Sequence, residues 1–300
     1  MKTFHANGKL LITGEYLILN GAVSIAVPTK KGQSLMYNYK DENTLTWESI
    51  DVNGNKWFEA AFSAVDFDII ETSNYIKAEF LQKLIKNAAS ISENKNGLSG
   101  HIKTILEFPR NWGFGSSSTL ITCVAKLFNI NPFTLHFSIS NGSGYDIACA
   151  TATSSICYKL VNKKAIFNEV KWNPSFKDSI FFVHLNTKQD STKEVEKFNK
   201  NSKDNSIQIE KISSISEKLL NTKSLDEFKN LLEKHEQVMS KTLETPTIKE
   251  KLFNDFKGVI KSLGAWGGDF ILVCGDKSSK EYFKNKGYHT QLNFDDALKI

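Results

Sequence analysis

Apolar and polar residues alternate through much of the first part of the chain, which predicts a β-rich segment. Strand patterns cover KLLITGEYLILNG, VSIAVPT, SLMYNYK, TLTWESIDVNG and KWFEAAF, and VNGN predicts a hairpin turn. We expect the last three of these strands to form an antiparallel meander. GLSGHIKTILEFP alternates again and predicts a further strand.

Apolar residues spaced three and four apart predict helices between and after these strands. NYIKAEFLQKLIKNAASI is the first, with an apolar face formed by Ile76, Phe80, Leu81, Leu84 and Ile85. STLITCVAKLFNI and PFTLHFSIS predict two more helices in this part of the chain.

From about residue 171 helical patterns dominate. They cover IEKISSISEKLL, SLDEFKNLLEKHEQVMSKTL with a capping box from Ser224 to Glu227, and PTIKEKLFNDFKGVIKSL, which ends at Gly264. SIFFVHLN and ILVC predict buried strands. This change in character predicts two domains, residues 1–168 and 169–300.

Composition narrows the class of partner. The chain has 300 residues, of which 40% are hydrophobic and 24% charged, with a net charge of +5. This is typical of a globular protein, and the excess of positive charge suits anionic small molecules. Because no Lys/Arg block is interleaved with aromatics, we expect no nucleic-acid partner. The oligomeric state stays open between monomer and homodimer.

Compartment is predicted from what the sequence lacks. No apolar run reaches the ~18 residues of a membrane span, and the N-terminus has no signal-peptide core, so we expect a cytoplasmic protein without membrane contact. Cys123, Cys149, Cys157 and Cys274 show no C-x-x-C spacing and predict buried free thiols. The histidines show no zinc-binding spacing.

The stretch PRNWGFGSSSTL predicts an anion site. Gly113 and Gly115 let the backbone approach a ligand, and Ser116, Ser117 and Ser118 open a helix whose N–H groups and dipole favour negative charge. An ordinary Ser N-cap after a glycine turn is the alternative. The stretch matches neither the Walker loop nor the dinucleotide fingerprint.

Three further stretches carry candidate chemistry, each with a plain structural alternative. ANGKLLITGEY places Lys9 just before a strand, where a lysine is commonly solvated. KSLGAWGGDF follows a predicted helix and is consistent with a C-cap turn. NGSGYDIACA ends a glycine loop on Asp146, which either caps the next element or faces a substrate.

Together, NGK…GEY, P-x-x-x-G-F-G-S-S-S, GSGYD and GAWGGD occur in the order found in the GHMP kinase superfamily, which includes galactokinase, homoserine kinase, mevalonate kinase and phosphomevalonate kinase. The resemblance covers nearly the whole chain, and GSGYDIA is similar to the phosphomevalonate kinase version and to a subgroup named for GYDIA. It implies an α+β fold of two domains, the first like domain 2 of ribosomal protein S5 and the second ferredoxin-like.

The resemblance also implies roles, with ATP and Mg²⁺ as cofactors and a small phosphorylated or hydroxy-acid substrate. Lys9 and Asp146 would be catalytic, and Ser117 would lie near Mg²⁺. The expected nucleotide-binding residues are Gly113, Gly115, Ser116, Ser117, Ser118, Gly264, Ala265, Gly267 and Gly268. Those on the substrate side are Ser143, Gly144, Tyr145, Ser191 and Thr192.

Departures from the family pattern affect the expected substrate. Asn7, Phe114 and Trp266 replace the usual Pro, Leu and Gly, and the Trp266 ring would narrow the site or stack on a ligand. No acidic residue lies between Ser116 and Tyr145, where mevalonate and homoserine kinases place a Mg²⁺-binding Glu. The resemblance therefore favours 5-phosphomevalonate as acceptor. Mevalonate kinase, another GHMP kinase and a non-catalytic binding protein are the alternatives.

Overall fold

The computed structural model describes residues 1–93, 97–187, 198 and 204–300. These residues form two compact units. Unit 1 comprises residues 1–8, 31–110 and 114–151, and unit 2 comprises residues 9–30, 111–113 and 152–300. The domain boundary at residue 168 stays a prediction.

One sheet contains the strands between residues 2 and 169. Its order is β5-β4-β3-β6-β2-β7-β8, and β1 also pairs with β2. The bounds are β1 Lys2–Leu11, β2 Ser24–Asn38, β3 Thr44–Ile50, β4 Lys56–Ser63, β5 Ile69–Thr72, β6 Gly100–Leu106, β7 Ile156–Val161 and β8 Lys164–Glu169. The predicted meander is wrong in one respect, because β6 lies between β2 and β3 and runs parallel to β3. Of the predicted meander, only the antiparallel β3–β4 hairpin is confirmed.

The described residues of unit 1 form four helices, of which the first three follow predicted segments and the fourth was not predicted. They are α1 Tyr75–Ile91, α2 Ser116–Leu127, α3 Pro132–Ile139 and α4 Tyr145–Thr151. On α1, Leu81, Leu84 and Ile85 are buried as predicted, whereas Ile76 and Phe80 are 79% and 41% exposed. At about 100° per residue these two side chains lie beyond the edge of the buried face, so their inclusion in it was wrong.

Unit 2 contains a second, antiparallel sheet of order β10-β11-β9-β12. Its strands are β9 Ile180–His184, β10 Val259–Ser262, β11 Phe270–Cys274 and β12 Gln291–Asn293. The helices among the described residues of this unit are α5 Ser206–Asn221, α6 Leu225–Leu243, α7 Ile248–Leu252, α8 Lys277–Asn285 and α9 Phe294–Ala297, with short 3₁₀ turns at Leu17–Asn20 and Lys177–Ser179.

The prediction of one helix from Pro246 to Leu263 is wrong. Only Ile248–Leu252 is helical, and Val259–Ser262 is strand β10. Gly258 marks the change, because a Cβ there would lie 2.6 Å from the carbonyl oxygen of Cys274. The β-branched Val259 and Ile260 then pair with β11, where their side chains are buried.

The capping of α6 differs from its prediction in one detail. Ser224 Oγ accepts from the Glu227 N–H (3.3 Å), but the Glu227 carboxylate accepts from Thr222 Oγ1 (2.5 Å). A reciprocal capping box instead opens α7, between Thr247 and Glu250.

All four cysteines are free thiols as predicted, three of them buried and Cys157 half-buried. In the described parts of the chain, every helix is too short or too polar for a membrane span.

Candidate functional site

The glycine loop leads into α2 without any side-chain cap. Gly115 is the N-cap residue and has φ 82°, in the left-handed region that favours glycine. The Ser N-cap alternative is therefore wrong. The first turn of α2 carries no acidic side chain, so its N–H groups and the positive end of the helix dipole face an environment suited to an anion.

The three serines that follow differ in their surroundings. Ser116 is half-buried and Ser117 is exposed. Ser118 is buried, and its Oγ donates to the Gly115 carbonyl oxygen at 2.8 Å. The Ser118 hydroxyl therefore stabilises the turn itself, and the hydroxyls of Ser116 and Ser117 are the better placed to meet a ligand.

Gly113 belongs to unit 2, where it lies against Asp269. It has φ 66°, and a Cβ at this position would stand 2.2 Å from Asp269 Oδ2. Nearby, His184 Nε2 donates to the Asn111 carbonyl oxygen at 3.1 Å. The backbone of residues 111–113 is therefore fixed closely within this unit, and only glycine fits at position 113.

Lys9 lies inside β1 and not before a strand, which corrects its predicted place. Its Nζ is 4.0 Å from where a Cβ at Gly264 would stand. Gly264 follows strand β10, so the predicted C-cap turn is also wrong. Lys9 and the turn at residues 264–268, hereafter the glycine turn, are thus neighbours in unit 2.

Trp266, at the centre of the glycine turn, has a structural environment. It is 8% exposed, its backbone N–H donates to the Tyr16 hydroxyl (3.0 Å), and its indole N–H donates to the Pro246 carbonyl oxygen (3.3 Å). The ring is therefore packed within unit 2 and is not presented for stacking on a ligand.

Asp146 lies in the first turn of α4 and is half-buried. Its Oδ1 accepts from the Ile147 N–H at 3.0 Å, and among the described residues Oδ2 has no hydrogen-bond donor. The carboxylate thus stabilises the helix start with one oxygen, and a role of the other oxygen toward a substrate stays a prediction. The two predicted alternatives are compatible.

The loop before Asp146 packs on α3. Gly144 has φ 81°, and a Cβ there would be 3.2 Å from the Phe137 ring. Sequence reasoning missed His136, which is 4% exposed and has no hydrogen-bond partner for either ring nitrogen within the described residues. Its Nε2 lies 3.4 Å from the Cβ position of Gly142. An apolar helical pattern contains no signal for such a histidine.

No protein-family model matches the chain, and no curated protein matches it. Solved structures do. The mevalonate kinase of Methanococcus jannaschii is 16% identical with a TM-score of 0.70, over 100% of this chain and 98% of its own. Streptococcus pneumoniae phosphomevalonate kinase, in complex with phosphomevalonate and AMPPNP, is 16% identical with a TM-score of 0.72, over 98% and 100%. Lactococcus lactis galactokinase with galactose is 14% identical with a TM-score of 0.62, over 100% and 95%.

The chain has the GHMP kinase fold. The prediction of this α+β fold is confirmed over the full length of the chain. The similar structures are kinases of several different small molecules, and at 14–16% identity the likeness shows the fold alone.

Unit 2 of this GHMP kinase fold contains a buried polar network that sequence reasoning also missed. It consists of Glu15, His235, Glu236 and Lys261, each at most 3% exposed. Lys261 Nζ donates to Glu15 Oε1 and to the Ser262 carbonyl oxygen (2.6 Å), and it lies 3.9 Å from Glu236 Oε1. His235 Nε2 accepts from the Gly14 N–H at 3.1 Å. The lysine was hidden inside a pattern interpreted as helical.

Burial governs the protonation of this network. It lowers the pKa of His235 well below its usual value, so the imidazole is neutral and its Nε2 accepts a hydrogen bond. Burial raises the pKa of Glu15, an effect that the Lys261 ammonium partly offsets. Burial also raises the pKa of Glu236 to about 8. Near neutral pH Glu236 therefore carries a proton.

Ser143 is buried, Tyr145 is half-buried at the start of α4, and Ala265, Gly267 and Gly268 lie in the glycine turn. Ser191 and Thr192 lie outside the described residues.

Within the described part of the chain, no group of three or more His, Cys, Asp and Glu side chains could hold a metal ion. The uncapped start of α2 has no acidic side chain in its first turn, so it is compatible with an anion, and Ser117 stays a predicted Mg²⁺ ligand.

Proposed function

We propose that this protein is an ATP- and Mg²⁺-dependent kinase that converts 5-phosphomevalonate to 5-diphosphomevalonate. The observation that carries the proposal is the glycine-capped start of α2, which lacks a side-chain cap and an acidic first turn, in a chain with the GHMP kinase fold. Such a helix start binds phosphate through its N–H groups. ATP supplies the phosphoryl group, and Mg²⁺ reduces the repulsion between phosphate oxygens.

The residues of the glycine loop would hold the nucleotide phosphates. Gly113 and Gly115 keep the loop free of side chains, and the Ser116 and Ser117 hydroxyls add donors at the helix start. Gly264, Ala265, Gly267 and Gly268 would also bind the nucleotide, and Ser118 would contribute through its N–H. Each preorganised donor of this kind stabilises the transition state by roughly 3–4 kcal/mol.

Lys9 and Asp146 would act on the transferring group and the acceptor. The Lys9 ammonium offsets the charge that develops during transfer. Asp146 orients the acceptor through Oδ2, the oxygen without a donor among the described residues. A phosphate monoester is already ionised near neutral pH, with a second pKa of about 6, so Asp146 need not be a strong base. Ser143, Gly144, Tyr145, Ser191 and Thr192 would line the acceptor side.

The absence of an acidic residue between Ser116 and Tyr145 supports the phosphorylated acceptor over mevalonate. A coupled ADP-release assay on the full chain, with mevalonate, 5-phosphomevalonate and 5-diphosphomevalonate offered separately, tests this choice. We expect turnover with 5-phosphomevalonate. Turnover with mevalonate alone would identify a mevalonate kinase, and nucleotide binding without turnover on any acceptor would identify a non-catalytic binding protein.

A further inference from the structure

The buried network joins two segments of unit 2 to which the proposed function gives a role. Glu15 belongs to the segment that follows β1, the strand of Lys9, and Lys261 lies on β10, three residues before the glycine turn. Their ion pair is fully buried. Such a pair is seldom retained for stability, since apolar residues of similar volume are commonly as stable or more so.

Two hydrogen bonds extend the connection on either side of Glu15. The Gly14 N–H donates to His235 Nε2 (3.1 Å), which fixes the segment to α6. The Tyr16 hydroxyl accepts from the backbone N–H of Trp266 (3.0 Å), which fixes the same segment to the glycine turn. Three successive residues, 14 to 16, are thus tied to helix α6, strand β10 and the glycine turn.

The backbone has a positive φ at two of these residues. Gly14 has φ 89°, and Tyr16 has φ 59°, which is uncommon for a bulky residue. A Cβ at Gly14 would stand 1.9 Å from Ser24 Oγ, so the segment is also closely packed. Strained backbone of this kind persists only where its surroundings fix it, and it concentrates at functional sites.

We propose that Glu15, His235, Glu236 and Lys261 are positioning residues that hold the glycine turn in register with Lys9. The inference rests on the proposed function, because it assigns the network to phosphoryl transfer. The 4.0 Å separation between Lys9 Nζ and the Cβ position of Gly264 is the geometry that the network maintains. A misplacement of about 1 Å in such a site costs on the order of a hundredfold in rate.

His235→Leu tests the network, because it removes the acceptor of the Gly14 N–H and replaces the imidazole with an apolar side chain of similar size. We expect kcat to fall roughly tenfold or more while KM for ATP changes by less than about threefold. His235→Gln, whose amide oxygen can accept the same hydrogen bond, should recover most of the lost kcat.

Leu232→Ala is the matched control. Leu232 is fully buried on the same helix, α6, and its truncation costs about 2–5 kcal/mol of stability. Measured at a temperature where all variants are folded, it should retain the wild-type kcat. If Leu232→Ala lowers kcat as much as His235→Leu does, or if His235→Gln gives no recovery, the positioning role is wrong.

Hydrogen exchange on the full chain provides a readout that needs no substrate. In His235→Leu the amides of residues 261–268 should exchange faster than in wild type, and in Leu232→Ala at matched stability they should not. Equal exchange in the two variants would overturn the network's role. If exchange behaves as expected while no acceptor is turned over, the network stands and the kinase proposal fails on its own.

Discussion

At the residue scale, Gly113 is a position of the candidate phosphate loop where an added side chain meets a close neighbour. Gly113→Ala forces a left-handed φ on a residue with a side chain, which costs roughly 1–2 kcal/mol, and places the Cβ 2.2 Å from Asp269 Oδ2. We expect the unfolding free energy, measured by urea denaturation, to fall by clearly more than the roughly 1–2 kcal/mol that the left-handed φ alone would cost.

Gly54→Ala is the control for this prediction. Gly54 has φ 84°, and no atom lies within 4 Å of its Cβ position. It should therefore show only the conformational cost. Equal losses in the two variants would mean that the contact with Asp269 relaxes freely.

Asp146→Asn separates the two tasks of this side chain. The amide oxygen of Asn can still accept from the Ile147 N–H, so the fold should be unaffected. If Asp146 orients the acceptor, kcat should fall about a hundredfold or more with little change in KM for ATP. Steady-state kinetics with the accepted substrate give both values. Asp66→Asn, at an exposed position of the same unit, should match wild type, and near-wild-type kcat in Asp146→Asn would remove its catalytic role.

Individual site residues differ in how far the sequence predicts them. Glycines and serines in a fixed order indicate where phosphate can be bound, because backbone N–H groups do the binding. The pattern cannot show that the Ser118 hydroxyl is used by its own turn or that Trp266 is buried. Both His136 and His235 were missed. His136 is buried without a hydrogen-bond partner among the described residues, and His235 is buried against a backbone N–H, and both environments depend on tertiary packing.

At the scale of elements, α7 depends on its cap. This helix spans only Ile248–Leu252, too short to be stable through its own hydrogen bonds. Thr247→Ala removes the oxygen that accepts from the Glu250 N–H (3.2 Å) and should cost about 1 kcal/mol in urea unfolding.

Thr242→Ala provides the comparison. The Thr242 hydroxyl donates to the Val238 carbonyl within α6, a bond that adds little to helix stability. This variant should lie close to wild type. A similar loss in both would show that the capping box does not hold α7.

Most helices and strands follow from the apolar periodicity, and the errors have a common origin. The stretch FKGVIKSL continues apolar spacings that suit a helix, yet the helix ends at Leu252 and Val259–Ser262 pairs with β11. Likewise, β6 enters the sheet between strands that are close in sequence. Local spacing carries no information on either choice, since both depend on the partner that a segment meets.

At the scale of the whole molecule, the network makes stability depend on pH. The pKa of Glu236 is about 8 in the folded chain, above the 4.5 of an exposed glutamate. Its protonated form therefore contributes stability that is complete below pH about 4.5 and is lost as pH rises through about 8.

Glu236→Gln removes this titration. The unfolding free energy of the variant minus that of wild type should increase by about 2–5 kcal/mol as the pH rises from 5 to 9. Urea unfolding at a series of pH values measures the difference. Glu233→Gln, exposed on the same helix, should run parallel to wild type, and a parallel curve for Glu236→Gln would show that Glu236 is ionised throughout.

The buried thiols of Cys123 and Cys274 allow the opening of each unit to be measured separately. Burial raises the pKa of Cys123 in unit 1 and of Cys274 in unit 2 to about 12, so neither forms a reactive thiolate while its surroundings stay folded. Alkylation of either cysteine must then wait for an opening fluctuation. Peptide-resolved labelling rates therefore measure how often each unit opens, and equal rates at the two cysteines would mean that both units open in one cooperative event.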